Sequence, residues 1–138
     1  MFFKIIYRLS RKIPGVSRIM KILYGCDIPR KATIGKNIRF PHDGLGVVIH
    51  PNTVIGDNVT IQHHVTFGVN GFGNGDCPVV HDNVVLQPYS IIAGGIDIGE
   101  NSVIGAGSIV LHDIPANTVF FNKREEFSRP RRESEYVK

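Results

Sequence analysis

Residues 49–67 read IHPNTVIGDNVTIQHHVTF, and residues 80–110 read VHDNVVLQPYSIIAGGIDIGENSVIGAGSIV. In both stretches a large apolar residue returns every six positions: Ile49, Ile55, Ile61 and Phe67, then Val80, Leu86, Ile92, Ile98, Ile104 and Val110. Ile28, Ile34 and Phe40 form an earlier run in the same step, making thirteen anchors. Four positions after an anchor stands a small or β-branched residue, as at Thr53, Val59, Val65, Val84, Ser90, Ile96, Ser102 and Ser108. A period of six matches neither the 3.6 of a helix nor the 2 of a plain strand. It describes short extended pieces joined by tight turns in a fixed register. Three hexads close a triangular coil whose layers stack at the roughly 4.8 Å spacing of hydrogen-bonded strands. The anchors fill the axis. Glycine or asparagine near each corner supplies the left-handed backbone a tight turn requires.

The register breaks twice. Phe40 to Ile49 is three residues longer than a hexad, through Pro41-His42-Asp43-Gly44-Leu45-Gly46, and Phe67 to Val80 is one longer than two hexads, through Val69 to Asp76. Both breaks read as loops thrown out of a rigid scaffold, the usual place for chemistry. The coil leaves open ladders at its two ends, and the segments flanking it are their natural covers.

The 138 residues suit a single folded unit, with 42% hydrophobic and 20% charged residues. Three segments are expected: a basic helical segment over 1–25, the coil over 26–121, and a charged tail over 122–138. Residues 2–24 read as two short helices separated by Pro14-Gly15. Lys4, Arg8, Arg11, Lys12, Arg18 and Lys21 lie there with no acidic residue, and the rest of the chain is mildly acidic. A nucleic-acid-binding body is therefore not expected. The basic residues also interrupt any signal-peptide core. Such helices pack on the body or on a partner subunit, or lie on an anionic membrane surface. No apolar run approaches the roughly 18 residues of a membrane span. Two cysteines, Cys26 and Cys77, give neither a disulfide scaffold nor a zinc motif, so the cytoplasm is the expected compartment.

The stretch DIPRKATIGKNIRFPHDGLGVVIHPNTVIGDNVTIQHHVTFG (27–68), with GDCPVV (75–80) and IGAGSIVLHDIPANT (104–118), resembles the hexapeptide-repeat acyltransferases. It is most similar to the serine O-acetyltransferase branch and its polysaccharide-biosynthesis relatives. The resemblance implies an all-β chain, a left-handed parallel β-helix of about five coils with short N-terminal helices. It implies a homotrimer with sites at the subunit boundaries and acetyl-CoA as cosubstrate, with no metal. It places a general base at His42 and its partner carboxylate at Asp27, fifteen residues earlier. It lays the pantetheine arm along the C-terminal coils, by position against Pro88 and Ala106, with Gly107 and His112 as further contacts. Lys123 and Arg124 are candidates for the coenzyme phosphates, against the alternative of a solvated tail.

The chemistry fits these residue types. An alcohol is a weak nucleophile near neutral pH, and a neutral imidazole takes its proton as it attacks the thioester. A carboxylate on the other ring nitrogen fixes the tautomer and stabilises the imidazolium. His63 and His64 are adjacent, so their side chains are expected on different faces, with His64 toward the groove and the acceptor. His50 and His81 read as exposed corner residues. Cys77 stands where serine acetyltransferases carry a second histidine that helps to hold serine, which argues against serine as acceptor. Cys77 itself is expected to line the acceptor site rather than to act as a nucleophile, because Asp76 beside it raises the thiol pKa. The relatives carry a large helical domain before the coils, where only about 25 residues stand here.

The function expected is O-acetylation of a sugar hydroxyl in surface-polysaccharide assembly, with the N-terminal helices beside the inner membrane leaflet. The alternatives are serine O-acetylation for cysteine synthesis, a non-catalytic assembly subunit, and a zinc enzyme of the carbonic anhydrase type drawing on His42, His63, His64 and His81. Val47, Val48 and Val54 are expected to be solvent-facing and covered by a neighbouring subunit.

Overall fold

The computed structural model describes residues 2–71 and 75–123. Most of the segment expected to form a charged tail, including Arg124, lies outside the described residues. Two helices come first, α1 (Phe2–Ser10) and α2 (Val16–Tyr24), separated at Pro14-Gly15 as the sequence predicts. Twelve short strands follow: β1 (Thr33–Ile34), β2 (Val48–Ile49), β3 (Val54–Ile55), β4 (Thr60–Ile61), β5 (Thr66–Gly68), β6 (Val79–Val80), β7 (Val85–Leu86), β8 (Ile91–Ala93), β9 (Asp97–Ile98), β10 (Val103–Ile104), β11 (Ile109–Val110) and β12 (Val119–Phe120).

Every strand pairs in parallel with the strand three places on or back, except at the two ends, where β1 pairs with β3 and β12 with β10. This makes three flat faces. The first is β1-β3-β6-β9, the second β4-β7-β10-β12 and the third β2-β5-β8-β11. Each face gains one more layer from an isolated parallel bridge: Ile98–Ile114 on the first, Arg39–Thr60 on the second and Asp27–Val48 on the third. Four strands and one bridge per face give the five coils expected.

The hexad anchors line the axis. Ile49, Ile55, Ile61, Phe67, Val80, Leu86, Ile92, Ile98, Ile104 and Val110 are all buried, as is Ile28 below them. The eight residues four positions after an anchor are buried as well. Val47 is a correction: it is fully buried, whereas Val48 and Val54 are exposed. The reason is register. Val47 stands two residues before the anchor Ile49, the inward slot that Val59 and Val65 hold before Ile61 and Phe67.

The glycine after an anchor is a packing requirement. A Cβ on Gly35 would run into the Asp57 carboxylate one coil up, which accepts the Lys36 N–H at 2.7 Å. The N-terminal helices close the first coil. Phe3 and Ile6 of α1 and Met20 of α2 are buried, and Phe3, Tyr7, Tyr24 and Phe40 form one aromatic cluster. Arg11 donates to the Pro29 and Ala32 carbonyls at 2.6 and 2.5 Å, tying the end of α1 to the coil. No helix among the described residues is long and apolar enough to cross a membrane.

Candidate active site

The three corners of the prism differ in the residues they carry. Corner one–two joins the first face to the second. There the third residue after each anchor is asparagine: Asn37, Asn58, Asn83, Asn101 and Asn117, all at φ between 56° and 59°. Asparagine tolerates this left-handed backbone better than other side chains. The column is also laddered, Asn37 donating to Asn58 at 3.1 Å and Asn101 to Asn117 at 3.2 Å.

At corner two–three the same slot holds Asp43 (φ 54°), His64 (φ 57°), Tyr89 (φ 61°) and Gly107 (φ 63°). His42, beside Asp43, is left-handed as well (φ 53°), in the single helical turn Pro41–Gly44. Backbone bonds stack this corner layer on layer: the His64 N–H donates to Leu45 O at 2.8 Å, Tyr89 to His63 O at 3.2 Å and Gly107 to Pro88 O at 2.8 Å.

The side chains gather there. The His42 ring meets His63 edge-on at 5.1 Å between centroids. His63 also meets His64 at 5.7 Å and Tyr89 at 5.5 Å, and His64 lies flat on Tyr89 at 4.7 Å and 8°. His63 and His64 therefore share one edge instead of pointing to different faces. They occupy a turn, where the alternation of a strand does not apply. The His63 Nδ1 atom is buried without a hydrogen-bond partner, a costly state shared among the described residues' side chains only by Thr53 Oγ1. Gly46 makes room for the cluster, since a Cβ there would enter the His64 ring. Higher on the same corner, Pro88, Tyr89, Ala106 and Gly107 line a shallow cavity of about 320 Å³.

Asp27 sits at the foot of the third face. Its carboxylate pairs with Lys21 at 2.7 Å, and no hydrogen bond joins it to His42. The remaining expected site residues stand on corner three–one. Cys77 Sγ lies 2.9 Å from His50 Nδ1. That nitrogen also accepts the Asn52 N–H at 3.2 Å, and the thiol has the Gly75 carbonyl at 3.8 Å as a further acceptor. Burial pushes the Cys77 pKa up, Asp76 adds to this and Lys31 opposes it. Beside this imidazole the thiol is held in its neutral form. His50 is thus partnered and half-buried, not a free corner residue. His112 bonds the Asp113 carbonyl at 3.0 Å and leans on Phe120, also at this corner. His81, at corner one–two, pairs with Asp97 at 2.9 Å. Among the described residues no three histidine, cysteine or acidic side chains converge as a metal site.

Sequence reasoning did not find Tyr89 or the special role of Gly46. A signal for Tyr89 was present: it fills the slot three after the anchor Leu86, where corner one–two has asparagine every time.

A family model described as bacterial transferase hexapeptide (six repeats) matches residues 77–112. The serine acetyltransferase of Bacillus subtilis (strain 168) is 42% identical over 110 residues, 79% of this chain and 49% of that protein. The putative colanic acid biosynthesis acetyltransferase WcaB of Escherichia coli (strain K12) is 40% identical over 106 residues, 77% of this chain and 65% of that protein. The solved structure of soybean serine acetyltransferase complexed with serine aligns with a TM-score of 0.74 at 38% identity, covering 88% of this chain and 51% of that one. The chain thus spans about half the length of the Bacillus and soybean proteins. Hexad register, three parallel faces and these likenesses agree: the chain carries the bacterial transferase hexapeptide repeat and folds as a left-handed β-helix similar to that of the serine acetyltransferases.

Proposed function

We propose that this chain transfers an acetyl group from acetyl-CoA to a sugar hydroxyl in surface-polysaccharide assembly, with His42 as general base. The observation that carries the reading is corner two–three. There His42, His63, His64 and Tyr89 pack into one cluster, and His42, His64 and Tyr89 hold a left-handed backbone that glycine and asparagine adopt most easily. Residues held in such conformations concentrate at functional sites.

In the reaction, neutral His42 accepts the proton of the acceptor hydroxyl as its oxygen bonds to the thioester carbon. The tetrahedral oxyanion is held by backbone N–H donors. Collapse expels the coenzyme thiolate, which takes the proton back from the imidazolium. Pro88, Tyr89, Ala106 and Gly107 continue the same edge and offer a track for the pantetheine arm. Asp27 is the carboxylate assigned to orient His42, and in the free chain it pairs with Lys21.

Cys77 and His112 lie on a different corner from His42 and His64, so a site that uses both sets draws on two protomers. A homotrimer supplies that arrangement. Val48, Ile91 and Ile109, in register with Thr66 on the third face, are exposed aliphatics that a neighbour would cover. The chain works at the cytoplasmic side of the membrane. Phe2, Ile5, Leu9, Ile22 and Leu23 expose an apolar surface on α1 and α2 among basic residues, which suits an anionic leaflet.

Likeness to WcaB and the cysteine at position 77 favour a sugar; likeness to serine acetyltransferases keeps serine as the second reading. A thiol-release assay with acetyl-CoA and either serine or sugar acceptors separates them. His42→Asn should cost roughly 10²–10⁴-fold in turnover. Turnover unchanged by that substitution would leave the assembly-subunit reading in its place.

A further inference from the structure

A cavity of about 610 Å³ lies between α1 and the first coils, away from the shallow groove at Pro88. Its cationic side chains are Lys4, Arg8 and Arg39, against the single acid Asp43, a formal balance of +3 − 1 = +2. Tyr7 and Phe40, half-buried over the buried Phe3, form an aromatic wall, and Asn37 and Asn58, bonded to each other, also line the cavity. Phe40 and Asp43 flank the Pro41-His42 pair, so the cavity opens against the turn that carries the proposed base.

Docking of α1 explains the aromatic wall but not the cations. Arg11, just past the end of the same helix, is consumed by the fold through the Pro29 and Ala32 carbonyls. Lys4 and Arg8 are exposed and have neither an ion pair nor a side-chain hydrogen bond among the described residues. Arg39 gives its Nε–H to Thr60 at 3.0 Å, which holds the guanidinium in place at the cavity edge. Three cations beside an aromatic platform and amides match a sugar whose ring lies on the aromatics and whose phosphate meets the guanidinium and ammonium groups.

We infer that this cavity is a subsite for a phosphate-bearing sugar, so that the acceptor is a glycosyl phosphate or diphosphate. This rests on the sugar-acetylation reading and adds the anionic group to it. The same chemistry reaches the cavity from a soluble nucleoside diphosphate sugar or from a membrane polyprenyl phosphate sugar.

The test is calorimetric titration of the full chain and of the Lys4→Gln/Arg8→Gln variant with glucose 1-phosphate and with glucose. Both substituted side chains are exposed, so folding is unaffected. Glucose 1-phosphate should bind the wild-type chain at least about tenfold more tightly than the variant, and the gap should narrow in high salt. Glucose should bind both equally weakly. Equal affinity of the two proteins for glucose 1-phosphate overturns the inference. Two further arms use UDP-glucose in solution and phosphatidylcholine vesicles carrying polyprenyl phosphate. The arm in which the variant loses binding identifies the source, and loss in neither overturns the proposal. His42→Asn keeps the two readings apart: it should lower transfer by roughly 10²–10⁴-fold while leaving glucose 1-phosphate binding unchanged. Binding without any transfer by the wild-type chain would sink the catalytic reading alone, and transfer to neutral sugars without phosphate binding would sink the cavity alone.

Discussion

Corner one–two and corner two–three are the same tight turn built from different residues. At the first, five asparagines repeat in the left-handed slot and ladder between coils. At the second, that slot goes to an aspartate, a histidine, a tyrosine and a glycine, with rings stacked where amides would ladder. Both turns bury an anchor of the same kind beneath them, so packing does not explain the difference. One corner is optimised for the fold, and the other gives up stability to hold imidazoles and a phenol in place. Stability and activity should therefore respond in opposite ways at the two corners.

The largest effect on stability is expected at the asparagine corner. Asn101→Val places a β-branched side chain at φ 57° and removes the amide that donates to Asn117. The strain is about 1–2 kcal/mol and the lost bond about 1 kcal/mol, so unfolding in denaturant should show a loss of about 2–3 kcal/mol. Turnover per folded molecule should stay at the wild-type level. A clear fall in turnover would mean that this corner also belongs to the site.

Next comes the opposite exchange. His64→Asn with Tyr89→Asn brings the asparagine solution to corner two–three. Relief of left-handed strain is worth about 1 kcal/mol at each position, and the lost ring stack costs about 0.5–1.5 kcal/mol once. The double variant should gain about 1 kcal/mol, seen as a rise of a few degrees in melting temperature. Transfer should fall at least tenfold. A less stable double variant would show that the stack, not the strain, dominates this corner.

How much of this was open to sequence reading follows from where the hexad register runs. The anchors fix the axis, the five coils and the buried residues four places on. Counting anchors in threes also brings Asp43, His64, Tyr89 and Gly107 to one corner, so the neighbourhood of His42 was legible in principle. The register was misread at Val47 because the loop after Phe40 hides the inward slot before Ile49. Contacts that depend on side-chain direction were not legible: the Asp27–Lys21 pair, the Cys77–His50 bond and the ring contacts of His63 need the turns in three dimensions. The helices were clear from Pro14-Gly15 and their apolar spacing, but not the cavity they make with Arg39.

A smaller effect is expected at the glycine that seats the ring cluster. Gly46→Ala puts a Cβ into the His64 ring at φ 68°. The backbone strain is about 1 kcal/mol, and the ring can move aside. The loss of stability should stay near that figure, while the His64–Tyr89 stack opens. Ring-proton shifts of His64 and Tyr89 measured by NMR would report this, and unchanged shifts would show that the cluster does not depend on Gly46.

The third corner supplies the smallest and most local prediction. Cys77 could be taken for a reactive thiol because it lies against His50, but its surroundings oppose the charged form. Burial comes first, then Asp76, and together they raise its pKa above the ordinary value of 9.0 despite Lys31. The thiolate fraction at pH 7 should then be below about 1%. Alkylation of Cys77 by iodoacetamide should be slow at pH 7 and rise close to tenfold per pH unit up to pH 9, with no plateau. Asp76→Asn should speed it a few-fold, since it removes the nearest negative charge. A plateau below pH 8 would reveal a thiolate–imidazolium pair instead, and corner three–one would then carry nucleophilic chemistry of its own rather than a neutral thiol.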